Sequence, residues 1–337
     1  MIPERQARDL REVMVETLIE AADEGVDLIT LVSDSTSTSK IAPFKERHPD
    51  RLVNVGIAEQ CLVGMAAGMA LGGIVSVTAN AAPFLVHRAN EQIKNDVCYT
   101  NSNVKLVGLN AGICYGALAS THHAIDDISI MRGFGNIIIL APSDPIETEQ
   151  IFKFAMEYKG PVYIRMDSAK FPVLHGDDYR FQPAKLDILR TGGDISIIAM
   201  GSTVHEAAAA GEALSGQGIE AEVVNLSSIR PLDRAGLAAT LRKNGLALTV
   251  EEHSLHGGVG SIVAAIAAEE GLGCRMKRLG FTEGRFPAPG PRSKMRAAAG
   301  IDAAGILRAA QELLADRFGL RIRVKNGGLH GQVNPGH

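Results

Sequence analysis

Three stretches carry residues whose type and spacing could do chemistry. The first is RLVNVGIAEQCLVGMAAGMAL, residues 51–71. A short strand ends near Gly56, and a helix begins near Glu59 that is otherwise almost wholly apolar. A carboxylate in a first turn sits where the helix dipole favours negative charge. Glu59 therefore reads either as a plain helix-start acid or as a group that handles a proton. Gly64, Gly68 and Gly72 recur every four residues, which lets another backbone come close, within the domain or across a subunit contact. The second stretch is GLNAGICYGALASTHHAIDDISIMR, residues 108–132. A strand runs into a Gly-rich loop with Thr121, His122 and His123, then a helix with Asp126 and Asp127. Polar groups beyond a strand's carboxyl end are where α/β sheets bind ligands. His122 is a candidate site residue, with a structural histidine as the alternative. Two His before two Asp invite a metal reading. Adjacent residues seldom point at one ion, however, and no third ligand has the spacing, so no metal is expected. The third stretch is VEEHSLHGGVGS, residues 250–261. It fails as a dinucleotide fingerprint, because Val263 holds the third glycine position. A structural turn is expected, although the helix start could take an anion.

Such loops need a sheet to present them. Short β-rich runs at 28–32, 74–78, 104–108, 137–140 and 162–164 alternate with helical patterns at 7–22, 58–71, 88–99, 125–133 and 146–158. Alternation of this kind predicts a parallel sheet covered on both faces. A turn-rich segment follows, then a second α/β series with strands at 195–200, 221–226, 247–250 and 274–279. The expected division is a domain at 1–172, a linker at 173–189, a domain at 190–318 and a basic, Gly-rich tail at 319–337.

Composition narrows the classes. A chain that is 46% hydrophobic and 21% charged can bury two cores and is not disordered. The net charge of −4 is spread out, with no basic block to suggest nucleic acid. Residues 61–86 carry no charge and are long enough to span a bilayer. Gly72-Gly73 breaks the stretch, and Ser76, Thr78, Asn80 and Pro83 stud it, so a helix, a turn and a strand are expected instead of a membrane span. Cys61, Cys98, Cys114 and Cys274 form no C-x-x-C pair, which fits free thiols and a cytoplasmic protein. The charged N-terminus has no apolar stretch to suggest a secretory signal.

The order and content of IAEQ, PFLVHRANEQIKND, STHHAIDDISIMR, APSDPIE, GPVYIRM and EEHSLHGGVGS resemble transketolase-like proteins, over residues 5–316. The resemblance implies a pyrimidine-binding thiamine-diphosphate domain followed by a transketolase C-terminal α/β domain. Glu59 stands where the family's glutamate touches the aminopyrimidine nitrogen. A buried carboxyl has its charged form disfavoured, so a raised pKa is expected there. Phe84 stands where an aromatic lies against the aminopyrimidine, with Ala81 small where a second Phe is usual and His87 in place of Tyr. Asp34 matches an acid near the cofactor. Asn110 and His122 match two substrate-facing histidines. Arg8 and Arg165 match arginines that hold a substrate phosphate. Leu118 replaces an Asp that contacts a sugar hydroxyl in the usual DGPTH loop, here LASTH, so a modified or branched ketose donor is expected.

The family's diphosphate and Mg²⁺ motif, GDG followed by Asn, has no counterpart here; HGDDY lacks its context. The resemblance therefore implies a split transketolase, with an N-terminal partner subunit that holds Mg²⁺ and the diphosphate, in an α2β2 assembly acting on sugar phosphates. The alternatives are a 2-oxo acid dehydrogenase β subunit, a deoxyxylulose-phosphate-synthase-like enzyme, and a regulatory or scaffold subunit without chemistry.

Overall fold

The computed structural model describes residues 7–282 and 286–317, so the expected tail at 319–337 lies outside the described residues. The first α/β series forms a seven-stranded sheet. Its order is Ser228–Arg230, Ile138–Leu140, Val162–Arg165, Val104–Leu109, Val75–Ala81, Leu28–Val32 and Leu52–Asn54. Six strands are parallel, and Ser228–Arg230 pairs antiparallel with Ile138–Leu140. Successive side chains of a strand point to opposite faces, so Leu106 and Val107 enter two different cores. On one face the helices Glu59–Leu71 and Ala82–Arg88 bring Leu62, Val63 and Leu85 to Leu106. On the other, Leu10–Asp23 and Pro145–Glu157 bring Met14, Leu18 and Phe152 to Val107. Burial on both faces is why these strands read as near-continuous apolar runs.

The second sheet runs Arg275–Phe281, Leu246–Ser254, Ile195–Ala199, Ala221–Asn225 and Asp187–Arg190, with only the last strand antiparallel. Ile197, Val223 and Leu248 pack there against Val204, Leu214, Ile306 and Leu313. The two units are stitched by Glu252, which accepts from the backbone N–H of Ile113 at 2.8 Å and from Arg292 and Arg296.

Several elements differ from the sequence expectation. The pattern at 88–99 is not one helix. Ala82–Arg88 starts with Pro83 in its first turn, where the missing N–H costs nothing, and a π-helical turn Ile93–Tyr99 follows. Asp187–Arg190, read as linker, is an edge strand, and Ser228–Arg230 leaves the second series to extend the first sheet. Helix Arg292–Ala299, which the sequence reading does not include, is short and polar on average, and it buries Met295 and Arg296. Among the described residues no helix is long and apolar enough to cross a membrane, and the uncharged stretch folds as helix Glu59–Leu71 followed by strand Val75–Ala81.

Candidate active site

Polar residues gather at the carboxyl ends of the parallel strands, as the sheet rule requires. Asp34 follows Leu28–Val32, Asn54 ends Leu52–Asn54, Asn80 lies near the end of Val75–Ala81, and Asn110 follows Val104–Leu109. Glu59 opens its helix and is only 4% exposed. Nη1 of Arg88 donates to both Glu59 oxygens at 3.0 Å, and Asn80 Nδ2 donates to Oε1 at 3.4 Å. The same guanidinium lies 4.2 Å from the centroid of the Phe84 ring, a cation–π contact. Burial raises the Glu59 carboxyl, as expected, but the hydrogen bonds and charge of Arg88 outweigh it. The pKa is lowered, which corrects the expectation of a raised one. Arg88 was not anticipated as a site residue. The signal was its place four residues after Phe84, one helical turn away.

From Phe84 a row of rings continues. The His122 ring stands edge-on to Phe84 at 5.1 Å and to Tyr115 at 5.2 Å. The Tyr115 hydroxyl accepts from Asn110 Nδ2 at 2.7 Å. Asn110 has φ +55°, a left-handed conformation that Asn tolerates better than most residues. Glu59, Phe84, His122 and Asn110 thus form one connected array, with Arg88 and Tyr115 as links that the sequence reading missed. Leu118 lies on the same loop and is 52% exposed.

Other expected residues are placed differently. His87 directs Nδ1 at the Pro83 carbonyl (2.7 Å) and Nε2 at Asp126 (3.1 Å), and the Asp126 carboxylate raises its pKa. Asp34 is exposed, and its N–H donates to Asn54 Oδ1 at 2.9 Å. Arg8 is exposed and paired with Glu16 at 2.5 Å, in a groove also lined by Glu20, Asp23, Glu24 and Glu149. Such a groove repels phosphate. Arg165 is 5% exposed; its Nε donates to Asp127 and its Nη2 to the carbonyls of Ala124 and Glu252. The expectation that Arg8 and Arg165 form a phosphate clamp is therefore corrected: one faces acids outside, the other is committed inside. Arg11, three residues after Arg8, lies close enough for its charge to lower the Tyr115 pKa against the larger, raising effect of burial. It is held by Asp9 and by the Thr38 carbonyl.

His122 and His123 diverge: His123 Nε2 donates to the Gly116 carbonyl at 3.0 Å. Asp126 goes to His87 and Asp127 to Arg165. A different trio, Glu147, His175 and Asp187, has metal-like spacing among the described residues. Its atoms already engage one another and their neighbours: His175 touches Asp144 and Asp187, while Glu147 takes donors from Ser143, Tyr179 and Asn225. At 250–261, the turn's helix start is filled by the chain's own carboxylate. Glu251 accepts from the backbone N–H groups of Val259 (2.7 Å) and Gly260 (2.8 Å).

Residues 6–172 match the model of the transketolase pyrimidine-binding domain, and residues 184–306 match that of the transketolase C-terminal domain. The chain is 56% identical over 307 residues to an apulose-4-phosphate transketolase subunit of Actinobacillus succinogenes, covering 91% of this chain and 99% of that one. It is 33% identical over 304 residues to a 6-deoxy-6-sulfo-D-fructose transketolase subunit of Clostridium sp., covering 90% and 94%. Among solved structures it is similar to a split gene transketolase described as an inactive beta4 tetramer, with TM-score 0.82 and 33% identity, covering 92% of this chain and 99% of that one. The chain belongs to the transketolase family, as the C-terminal subunit of a two-chain enzyme. That family uses thiamine diphosphate. The residues here suit its aminopyrimidine: a buried carboxylate that can share a proton, beside an aromatic face over which a half-exposed arginine lies.

Proposed function

We propose that this chain, joined to an N-terminal subunit, transfers a two-carbon ketol unit from a modified or branched ketose phosphate to an aldose phosphate. The observation that carries this reading is the connected array from Glu59 through Phe84 and His122 to Asn110. Glu59 would hold a proton at the aminopyrimidine nitrogen, and Phe84 would support the ring. His122 and Asn110 would face the sugar. Bound thiamine diphosphate supplies the electron sink for the ketol unit. The partner subunit would hold the diphosphate and Mg²⁺, since their GDG motif has no counterpart in this sequence.

Two features support the substrate class. Leu118 offers an exposed apolar side chain where an acid would read a hydroxyl. Once the partner subunit closes the site to water, a ketose hydroxyl pointing there would be left without a partner, costing about 1–3 kcal/mol. The 56% identical relative is named for apulose 4-phosphate and the 33% identical one for a sulfonated ketose. Self-association into an α2β2 assembly is supported by helix Glu59–Leu71. Its exposed side includes Met65 and Leu71 (67% exposed), and among the described residues nothing beyond the local backbone of its own helix lies within 4 Å of the position a Cβ on Gly68 would take. Free cysteines at 61, 98, 114 and 274 support a cytoplasmic setting.

The test is to mix the chain with its N-terminal subunit, Mg²⁺ and thiamine diphosphate and to measure ketol transfer from apulose 4-phosphate, xylulose 5-phosphate and a sulfonated ketose. Transfer that needs both chains and favours a modified ketose is expected. Transfer by the single chain, or highest specificity for xylulose 5-phosphate, counts against the reading.

A further inference from the structure

We propose that Arg88 is a displaceable counter-ion, which keeps Glu59 ionised while the site is empty and gives up its place to the aminopyrimidine. This rests on the reading above that Glu59 and Phe84 receive that ring. The two features that would hold the ring, a carboxylate and an aromatic face, are both covered by one guanidinium. Its Nη1 donates to both Glu59 oxygens at 3.0 Å, and its central carbon lies 4.2 Å from the Phe84 centroid. A ring stacked on Phe84 and bonded to Glu59 would need the same space.

The two partners of this ion pair are unequal. The Glu59 side chain is 4% exposed, and that of Arg88 is 48% exposed. Glu59 is fixed at a helix start, whereas Arg88 is a long side chain at the last position of Ala82–Arg88. Arg88 can therefore move into water when the ring takes its place, and Glu59 cannot follow. The groups that face Glu59 are Arg88, from that helix, and the neutral amide of Asn80, from strand Val75–Ala81. Once Arg88 leaves, burial is no longer offset by a cation, and the carboxyl's affinity for a proton rises. Arrival of the ring would thereby turn a carboxylate into a group that shares a proton. An empty site would keep its buried acid paired, which avoids leaving a buried charge alone.

The experiment has two arms. In the full chain alone, the Glu59 carboxyl is titrated by carbon NMR, its signal identified by loss in Glu59→Gln. Arg88→Ala should move the midpoint upward, above the ordinary value of 4.5. Arg88→Lys, which keeps the charge, should bring it part of the way back. An unmoved midpoint in Arg88→Ala overturns the counter-ion role. In the complex with the N-terminal subunit and Mg²⁺, calorimetry with thiamine diphosphate should show Arg88→Ala binding several-fold tighter than the unmodified chain. Binding tenfold weaker would mean that Arg88 is a ligand of the cofactor, which overturns its displacement. If Glu59→Gln leaves cofactor affinity and transfer at the wild-type level, the assignment of Glu59 fails, and the first arm still decides its pairing with Arg88.

Discussion

Arg165 Nε lies 3.1 and 3.0 Å from the two carboxylate oxygens of Asp127, and both side chains are buried. Asp127 Oδ2 also accepts from the Tyr163 hydroxyl at 2.7 Å. An arginine this committed cannot turn to a substrate without leaving a buried acid behind.

Arg165→Met should therefore act on folding. Removing one partner of a buried ion pair costs about 3–5 kcal/mol. The unfolding free energy should fall by that amount, as read by urea denaturation, and the KM for the ketose phosphate should change little in whatever enzyme remains folded. A raised KM with unchanged stability would restore the phosphate-binding role.

Glu59→Gln removes the carboxyl proton but keeps the shape. In the reconstituted enzyme, ketol transfer should drop by about 10²–10⁴-fold, the usual worth of a positioned acid or base. Circular dichroism and assembly should be unchanged. Transfer at the wild-type rate would show that Glu59 is only a helix-start acid.

His175 makes stability depend on pH. Burial lowers its pKa, but hydrogen bonds to Asp144 and Asp187 outweigh this and raise it to about 10, against an ordinary 6.5. A raised folded-state pKa gives stability that is complete below 6.5 and lost as pH climbs through about 10. His175→Gln should thus cost a few kcal/mol at pH 6 and progressively less toward pH 10, as read by urea midpoints. A cost that grew with pH would contradict the charged pairing.

Leu118→Asp places an acid where ordinary transketolases have one. Specificity should move toward xylulose 5-phosphate by about tenfold or more, the worth of one satisfied hydroxyl contact. Comparing kcat/KM for two donors in the reconstituted enzyme checks it. No movement would place discrimination in the partner chain.

The sequence was legible where a local rule governs. Glu59 at a helix start follows from polarity pattern alone, because the dipole and the apolar run that follows leave few other readings. Phe84, His122 and Asn110 were legible by resemblance, and the structure brings them into one array. The metal-like trio at Glu147, His175 and Asp187 had no local signal, since its members lie on a helix, a linker and an edge strand. Arg165 was misread for a related reason. An arginine at a strand's end looks free until the partner that neutralises it, 38 residues away, is seen.

By itself, then, the sequence determined the alternation of strands and helices, the loops at the strand ends and the family. These rest on periodicity and on contiguous motifs, which a linear string preserves. Only the tertiary structure decided which charges meet. It put Arg88 on Glu59 and Phe84, Asp127 on Arg165, Glu16 on Arg8, and Glu251 on the start of helix Val259–Glu269. Ionic partners are chosen by distance in space, and an exposed cation and a buried one are written with the same letter.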